Sequence, residues 1–175
     1  MRVHFETAKN LYLYAWFVYR FYPVSEQHAL ATLEFALRER LAPLFPQFCG
    51  DTVEHPPGLR RLFEKARKEK LISNAGLRAT KRLALNRARL RAINDCVRDM
   101  EARGVREAAF NEAAALPLAE DYRHDVLATF AETLPRVRNK HAHGGAMLHP
   151  SVLDTFEIVT DLVNHLYPAD SLAQE

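Results

Sequence analysis

The chain of 175 residues has little cysteine, little glycine and no long uninterrupted apolar run. Its two cysteines, Cys49 and Cys96, are too few for a disulfide framework and form no Cys-x-x-Cys pair that would indicate a zinc site. The aromatic stretch 11–22 is too short to span a bilayer, and Arg20 interrupts it. We therefore expect a cytoplasmic protein with free thiols, no membrane span and no signal peptide.

Strand patterns are also missing, because no segment shows convincing strand alternation over more than four residues. Apolar residues instead recur at helical spacing. The sequence therefore predicts an all-α protein, an up-and-down bundle of four main helices with a basic helical insertion. We expect one domain over 1–175, with core helices within about 4–42 and 120–167 and the insertion at about 59–106.

The first two helices are the most clearly bounded. The first is predicted over about 4–22, where Pro23 ends it, and Ser25 is placed to cap the second. The buried face of the second helix is predicted from four leucines at helical spacing, Leu30, Leu33, Leu37 and Leu41. Pro135 lies within a later helical pattern that starts near Glu120, so we expect a kink or a restarted helix there. The last helix is predicted to begin at Ser151.

A long basic helix is predicted over 78–103, closed by Gly104. Six of its residues recur at heptad spacing, which predicts a seam for packing against one neighbour: Leu83, Asn86, Leu90, Ile93, Val97 and Met100. Around it, residues 60–106 hold 15 Lys and Arg against 5 Asp and Glu, whereas the rest of the chain holds 9 against 17. This basic segment is either an electrostatic surface for phosphates or a solvated helix face.

The segment "PRVRNKHAHGG", at 135–145, concentrates cationic and titratable side chains: Arg136, Arg138, Lys140, His141 and His143. Cations near a helix C-terminus complement its dipole, and Gly144 would supply a left-handed cap. The "HAH" pair would suit a metal, but the neighbouring Arg and Lys oppose a cation, so we predict no metal ligand. The third interpretation is cleavage of RNA by its own 2′-hydroxyl without a metal.

The third interpretation gives each residue type a task. Arg138 supplies a permanently charged phosphate clamp, and His143 supplies an imidazole that titrates near neutral pH. Asn139 is suited to bind ribose or to orient either partner. Arg138 and His143 diverge on a continuous helix, so they converge only if the helix breaks near Ala142 or if two subunits contribute them.

These residues resemble the signature of the HEPN superfamily, R-x(4–6)-H, here "RNKHAHG", placed between the last two helices. The resemblance covers about 1–42 and 121–167, and the basic stretch 59–106 looks like an elaboration. It implies a homodimer that brings two motifs into one cleft, and a metal-independent endoribonuclease of toxin–antitoxin or defence systems. The family roles of the motif fall on Arg138, Asn139 and His143.

The resemblance also implies the partners. They are RNA, a second copy of the chain, and an antitoxin or a nucleotidyltransferase, and no cofactor is expected. Arg136, Lys140 and His141 would bind the substrate beside the catalytic residues. One subset of the family carries a modified tyrosine two residues after the His; that position is Gly145 here, so this modification is not expected. The alternative is a non-catalytic HEPN module that binds RNA, a nucleotide or a protein.

Two further pairs have alternative interpretations. Glu34 and Arg38 either orient the motif from the second helix or form an ordinary surface pair one turn apart. Trp16 and Tyr19 either stack on bases or pack in the core.

Overall fold

The structure, a computed structural model, describes residues 2–50, 53–142 and 152–168. These residues form seven α-helices and no strand, which confirms the predicted all-helical class. The α-helices are α1 Arg2–Tyr14, α2 Phe21–Leu41, α3 Pro46–Cys49, α4 Leu59–Lys68, α5 Arg78–Arg103, α6 Val126–Ala142 and α7 Val152–Leu166. Two short 3₁₀ helices lie at Glu112–Ala114 and Ala119–Tyr122. Within this part of the chain, no helix has both the length and the apolar character needed to cross a membrane.

The chain divides into two compact units. The first comprises 1–73 and 127–175, and the second comprises 74–126. This division differs from the predicted insertion at 59–106, because α4 packs on α2 and belongs to the first unit. The second unit contains α5 and both 3₁₀ helices.

Helix α2 is the centre of the first unit, with α1, α4 and α7 packed around it. The four leucines predicted to form its buried face are completely inaccessible to solvent, and this prediction is confirmed. Burial of such a side chain contributes about 1.5–3 kcal/mol, so this stripe is a major source of the stability of the unit.

Side-chain contacts give the directions of the helices around α2. His4 stacks on Phe35 with ring centroids 4.8 Å apart, and Tyr12 meets Tyr22 edge-on, so α1 runs antiparallel to α2. Helix α7 runs parallel to α2, because Thr155 in α7 contacts Glu26 and Tyr167, directly after α7, contacts Ala36. The contacts of α6 described below are in the reverse order.

The first predicted boundary is wrong. Helix α1 ends at Tyr14, and α2 begins at Phe21, so Pro23 lies in the first turn of α2 instead of ending α1. A proline is tolerated there because the amide groups of the first turn have no partner within the helix. Ser25 is not the cap; it is buried inside α2, and its hydroxyl donates to the Tyr22 carbonyl at 2.7 Å.

The earlier end of α1 exposes the aromatic residues that follow it. Trp16, Phe17 and Tyr19 lie in the connection between α1 and α2, and Trp16 is 74% exposed. Core packing of Trp16 and Tyr19 is therefore excluded. Tyr19 contacts Tyr22 edge-on at 5.2 Å, which places the exposed aromatic residues at the N-terminal end of α2.

The later helices follow the sequence pattern more closely. Helix α5 has the predicted bounds, and Gly104 closes it in the left-handed conformation at φ 65°. The helix expected from Glu120 begins only at Val126, after a 3₁₀ turn. Helix α6 continues through Pro135 without a restart, although the proline removes one backbone donor. The predicted cap Ser151 lies outside the described residues.

In the second unit, a two-pronged ion pair joins α5 to the second 3₁₀ helix. Arg91 donates to both carboxylate oxygens of Asp121, at 2.7 and 2.9 Å. The Leu118 amide donates to the same carboxylate at 2.7 Å. The hydrogen bonds from Arg91, followed by the one from Leu118, lower the pKa of Asp121. The ionised carboxylate is therefore the form that the folded unit stabilises.

We expect Asp121→Asn to destabilise the second unit at neutral pH but much less in acid. A lowered folded pKa contributes stability above the unfolded value of about 3.9, and this contribution is lost as pH falls through the folded pKa. Thermal unfolding of both proteins between neutral pH and about pH 2 measures the difference. Asp95→Asn, on the exposed side of α5, should change stability little, and a constant Asp121→Asn difference at every pH would contradict the assignment.

Candidate functional site

Helix α6 presents the residues of the predicted motif on different faces. Arg136 is exposed and pairs with Glu132 at 2.6 Å, one turn earlier on the same helix. Asn139 and Lys140 are exposed, Arg138 is half-buried, and His141 is buried. The cationic cluster of the sequence is therefore not one surface in the structure.

His141 belongs to a buried polar cluster that joins three helices. Its Nε2 lies 2.6 Å from Oε2 of Glu26 on α2, and the hydroxyl of Thr155 on α7 donates to the other carboxylate oxygen at 2.5 Å. Glu26 has no exposed surface, and the other two side chains are buried. When the carboxylate is ionised, Nε2 carries the proton, because a carboxylate only accepts. This cluster fixes α6 and α7 against the N-terminal half of α2.

The position of His141 corrects its predicted role in substrate binding. The imidazole is enclosed by the bundle and contacts a carboxylate, so it does not belong to a surface that RNA reaches. The sequence carried a signal for this position, because His141 continues the buried stripe of Leu127, Ala131 and Leu134 at helical spacing.

Arg138 also points toward α2, where it shares a carboxylate with Arg38. Oε2 of Glu34 lies 3.3 Å from Nη2 of Arg138, and Oε1 accepts from Nη2 of Arg38 at 3.1 Å. Arg38 in turn donates to the carbonyl of Pro57 at 3.3 Å, ahead of α4. Glu34 is buried, which is unlike an ordinary surface pair. The geometry favours the interpretation in which Glu34 orients the motif.

The ion pairs leave this cluster with a net positive charge. One carboxylate faces two guanidinium groups, so Glu34 holds Arg138 in place without neutralising the region. The distance of 3.3 Å is long for a charge-assisted hydrogen bond. Arg138 remains partly accessible, so its guanidinium also has surface available for an outside anion.

An open pocket of about 240 Å³ lies beside Arg138, within the first unit. Residues 135, 138 and 139 of α6 line one side of it, because positions three and four apart share a helix face. The opposite side is the beginning of α4. The full lining is Gly58, Leu59, Arg60, Arg61, Pro135, Arg138 and Asn139.

The beginning of α4 favours an anion in this pocket. Among the described residues, no side chain caps it at Gly58, and the first turn holds no acidic residue. The amide groups of a first turn carry a positive partial charge, which attracts anions and repels the cations Arg60 and Arg61. The charge of Arg60 is partly offset by Glu64, whose Oε1 lies 2.9 Å from Nε of Arg60. The guanidinium carbon of Arg61 lies 5.6 Å from the centroid of the Phe48 ring. Bound phosphate would add the negative charge that this turn lacks.

Sequence reasoning missed the contribution of α4. It treated Arg60 and Arg61 only as members of a general basic segment. The signal was the local order "PPGLRR" at 56–61, in which a helix starts after Gly58 without a Ser, Thr, Asp or Asn cap and with cations in its first turn.

The second half of the predicted catalytic pair cannot be placed. His143 lies outside the described residues, as do Gly144 and Gly145. Among the residues described, no three His, Cys, Asp or Glu side chains are arranged to hold a metal ion. Both cysteines are free, as expected, and burial raises the pKa of the Cys49 thiol, which disfavours the reactive thiolate.

We expect Glu26→Ala to lower the free energy of unfolding by about 3–5 kcal/mol, because it leaves buried polar partners without their carboxylate. Glu26→Gln should lose less, since an amide oxygen still accepts from Thr155. Denaturant titration followed by circular dichroism measures both. Glu6→Ala is the control, because Glu6 is exposed and its pair with Lys9 lies at the surface, where about 0.5 kcal/mol or less is expected. Equal losses at positions 6 and 26 would contradict the structural role.

Comparison of the chain with family models, with curated proteins and with solved structures gives no match. The resemblance to HEPN proteins therefore depends on the Arg138-x4-His143 spacing and on its position before the last helix. The function has to be argued from the side chains that this chain brings together.

Proposed function

We propose that this protein binds an RNA phosphate between α4 and α6 and cleaves the strand as a metal-independent endoribonuclease of HEPN type. The observation that carries the proposal is the pocket, which joins Arg138 and Asn139 of the motif to the uncapped beginning of α4 with Arg60 and Arg61. Three guanidinium groups, two of them partly offset by carboxylates, and a helix N-terminus give this pocket the positive charge that attracts a phosphodiester.

The reaction uses groups that RNA itself supplies. The ribose 2′-oxygen attacks the adjacent phosphorus, and the bond from phosphorus to the 5′-oxygen breaks. The 2′-hydroxyl loses its proton to a base, and the leaving 5′-oxygen gains one, so the products are a 2′,3′-cyclic phosphate and a 5′-hydroxyl. In this proposal, Arg138 takes the charge that develops on the phosphate oxygens, and His143 is the proton-transfer group.

A second copy of the chain would supply His143 to the pocket of the first. Arg138 faces α2 and the pocket, and a residue five positions later on a continuous helix lies about 140° around the axis. A two-fold assembly removes this conflict, because Arg138 of each chain then meets His143 of the other. The HEPN-like bundle and the homodimer are both part of this proposal.

The exposed aromatic residues support single-stranded RNA as the substrate. Trp16, Phe17 and Tyr19 lie at the end of α2 that is nearest to Glu26 and His141, and therefore toward the last turn of α6. Single-stranded RNA is bound by stacking of bases on aromatic side chains beside a basic surface. Arg20 adds an exposed cation to the same segment.

Binding without cleavage is the alternative with specific support. The contact of Arg138 with Glu34 already occupies part of its guanidinium, and a phosphate in the pocket does not by itself require cleavage. Such a protein would be a module that retains RNA, a nucleotide or a phosphorylated partner. A role as a toxin, with an antitoxin or a nucleotidyltransferase as partner, applies only to the cleaving form.

We expect the protein to cleave RNA in EDTA, and Arg138→Ala and His143→Ala each to lower the rate by about 100-fold or more. End-group analysis should find 2′,3′-cyclic phosphate. If neutral His143 acts as the base, cleavage should fall below about pH 5. Arg98→Ala, which removes an exposed cation outside the pocket, is the control and should retain most of the activity. RNA retention without cleavage in the unmodified protein would support the binding module instead.

We expect Arg61→Ala to weaken RNA binding by about tenfold, because one charge-assisted contact to phosphate is lost. The slope of log affinity against log salt concentration should also fall by about one. Fluorescence anisotropy of a labelled single strand at several salt concentrations measures both. Arg98→Ala removes an equal charge from an exposed position outside the pocket, so an equal loss in the two variants would contradict binding at α4.

A further inference from the structure

One face of α5 is apolar and uncovered. The heptad positions named above, which we call the α5 seam, include Leu90 at 60% exposure, Ile93 at 42% and Val97 at 46%. The buried residues of this helix are on another face: Thr80, Ala84 and Ala88. At 100° per residue, the two faces lie about 150° apart around the axis, so the seam points away from the side that α5 buries.

The spacing of the seam distinguishes it from scattered surface hydrophobics. Single exposed apolar residues need no explanation, but a row that repeats every seven residues is typical of helices that pack against another helix. Residues 83–100 extend this row over about 27 Å of the axis. The seam therefore fits a helix of similar length and similar pattern.

The distribution of charge along α5 favours one direction for the partner helix relative to α5. Residues 78–91 contain six cations and no anion, whereas 92–103 contain three anions and two cations. A parallel pair of α5 helices would place the six cations of one beside the six of the other. An antiparallel pair places each strongly cationic half beside a weakly anionic half, which is electrostatically favourable.

We propose that α5 pairs with α5 of a second copy in an antiparallel arrangement. In this register, Leu90 packs against Ile93 of the partner subunit, and the two-fold axis repeats the contact. On the flank of the seam, Arg87 faces Glu101 of the partner subunit, again twice per dimer. Arg87 is half-buried, and Glu101 is exposed.

The antiparallel arrangement brings one pair of like charges together. It avoids a less favourable like-charge pair that a parallel arrangement would create. Arg82 approaches Arg103 of the partner subunit at the ends of the pair, where Asp99 of the same helix accompanies Arg103. In a parallel pair, Arg82 would instead face Arg87 of the partner subunit at the N-terminal end of the seam, and no opposite charges would meet.

This pairing is independent of the proposed ribonuclease activity. It concerns the second unit, whereas Arg138 and the pocket belong to the first. Its readout is the dependence of association, in the absence of RNA, on the charges at positions 87 and 101, which belong to the second unit and not to the proposed motif dimer. Either proposal can therefore fail while the other stands. If another part of the same chain or RNA occupies the seam instead, changing these two charges leaves the association of the free protein unchanged.

The test reverses single charges on the whole chain and measures the mass of the assembly by analytical ultracentrifugation. Protein concentrations of about 1–100 µM suit the modest affinity expected of a short interface. We expect the unmodified protein to associate, and Arg87→Glu and Glu101→Arg each to weaken that association by about tenfold or more. An equimolar mixture of the two variants should restore it, because every Arg87–Glu101 contact then joins opposite charges. Lys81→Glu, exposed and far from the seam, should have no effect.

Three outcomes would overturn the proposal. The first is association that neither charge exchange changes, including a monomer at every concentration, and the second is a mixture that associates no better than each variant alone. The third is stronger association of Arg87→Glu, which would indicate a parallel pair, since Arg82 would then face a carboxylate. Circular dichroism of each variant establishes that the helices remain folded, so that a loss of association reports on the interface.

Discussion

Two buried carboxylates of α2 hold α6 in place. Glu26 contacts His141 and Thr155, and Glu34 contacts Arg138 about two turns later. A buried carboxylate is costly unless it is paired, so each of these contacts restricts the rotation and position of α6. The face of α6 that lines the pocket is defined by this restriction, because residues 135, 138 and 139 share one side of a helix whose other side is fixed.

The same arrangement explains why the neighbouring carboxylate does not neutralise the positive charge of the pocket. Glu34 lies between Arg38 and Arg138, so the acid organises the cations and leaves an excess of positive charge. The beginning of α4 adds the positive end of a helix dipole together with Arg60 and Arg61. Such an accumulation of like charge disfavours the empty pocket and favours a phosphate in it.

Two surfaces of this protein expose apolar side chains. The aromatic segment after α1 and the seam of α5 both have patterns that favour burial, yet both are exposed. Hydrophobic periodicity predicts that a helix face is buried against another surface, but it does not show whether that surface belongs to the same chain or to another molecule. The two surfaces are therefore where external partners are proposed, bases at the first and a second copy at the other.

The sequence alone determined the all-helical class, the buried leucines of α2 and the bounds of α5, because these depend on local periodicity and on one left-handed glycine at 104. Local pattern also singled out Arg138 but not its environment. Only the tertiary structure separated His141 from the cationic surface, brought Glu34 to Arg138, and added Arg61 to the pocket. These contacts join residues 77 to 115 positions apart, and burial and charge pairing over such separations depend on how whole helices pack, which no short segment encodes.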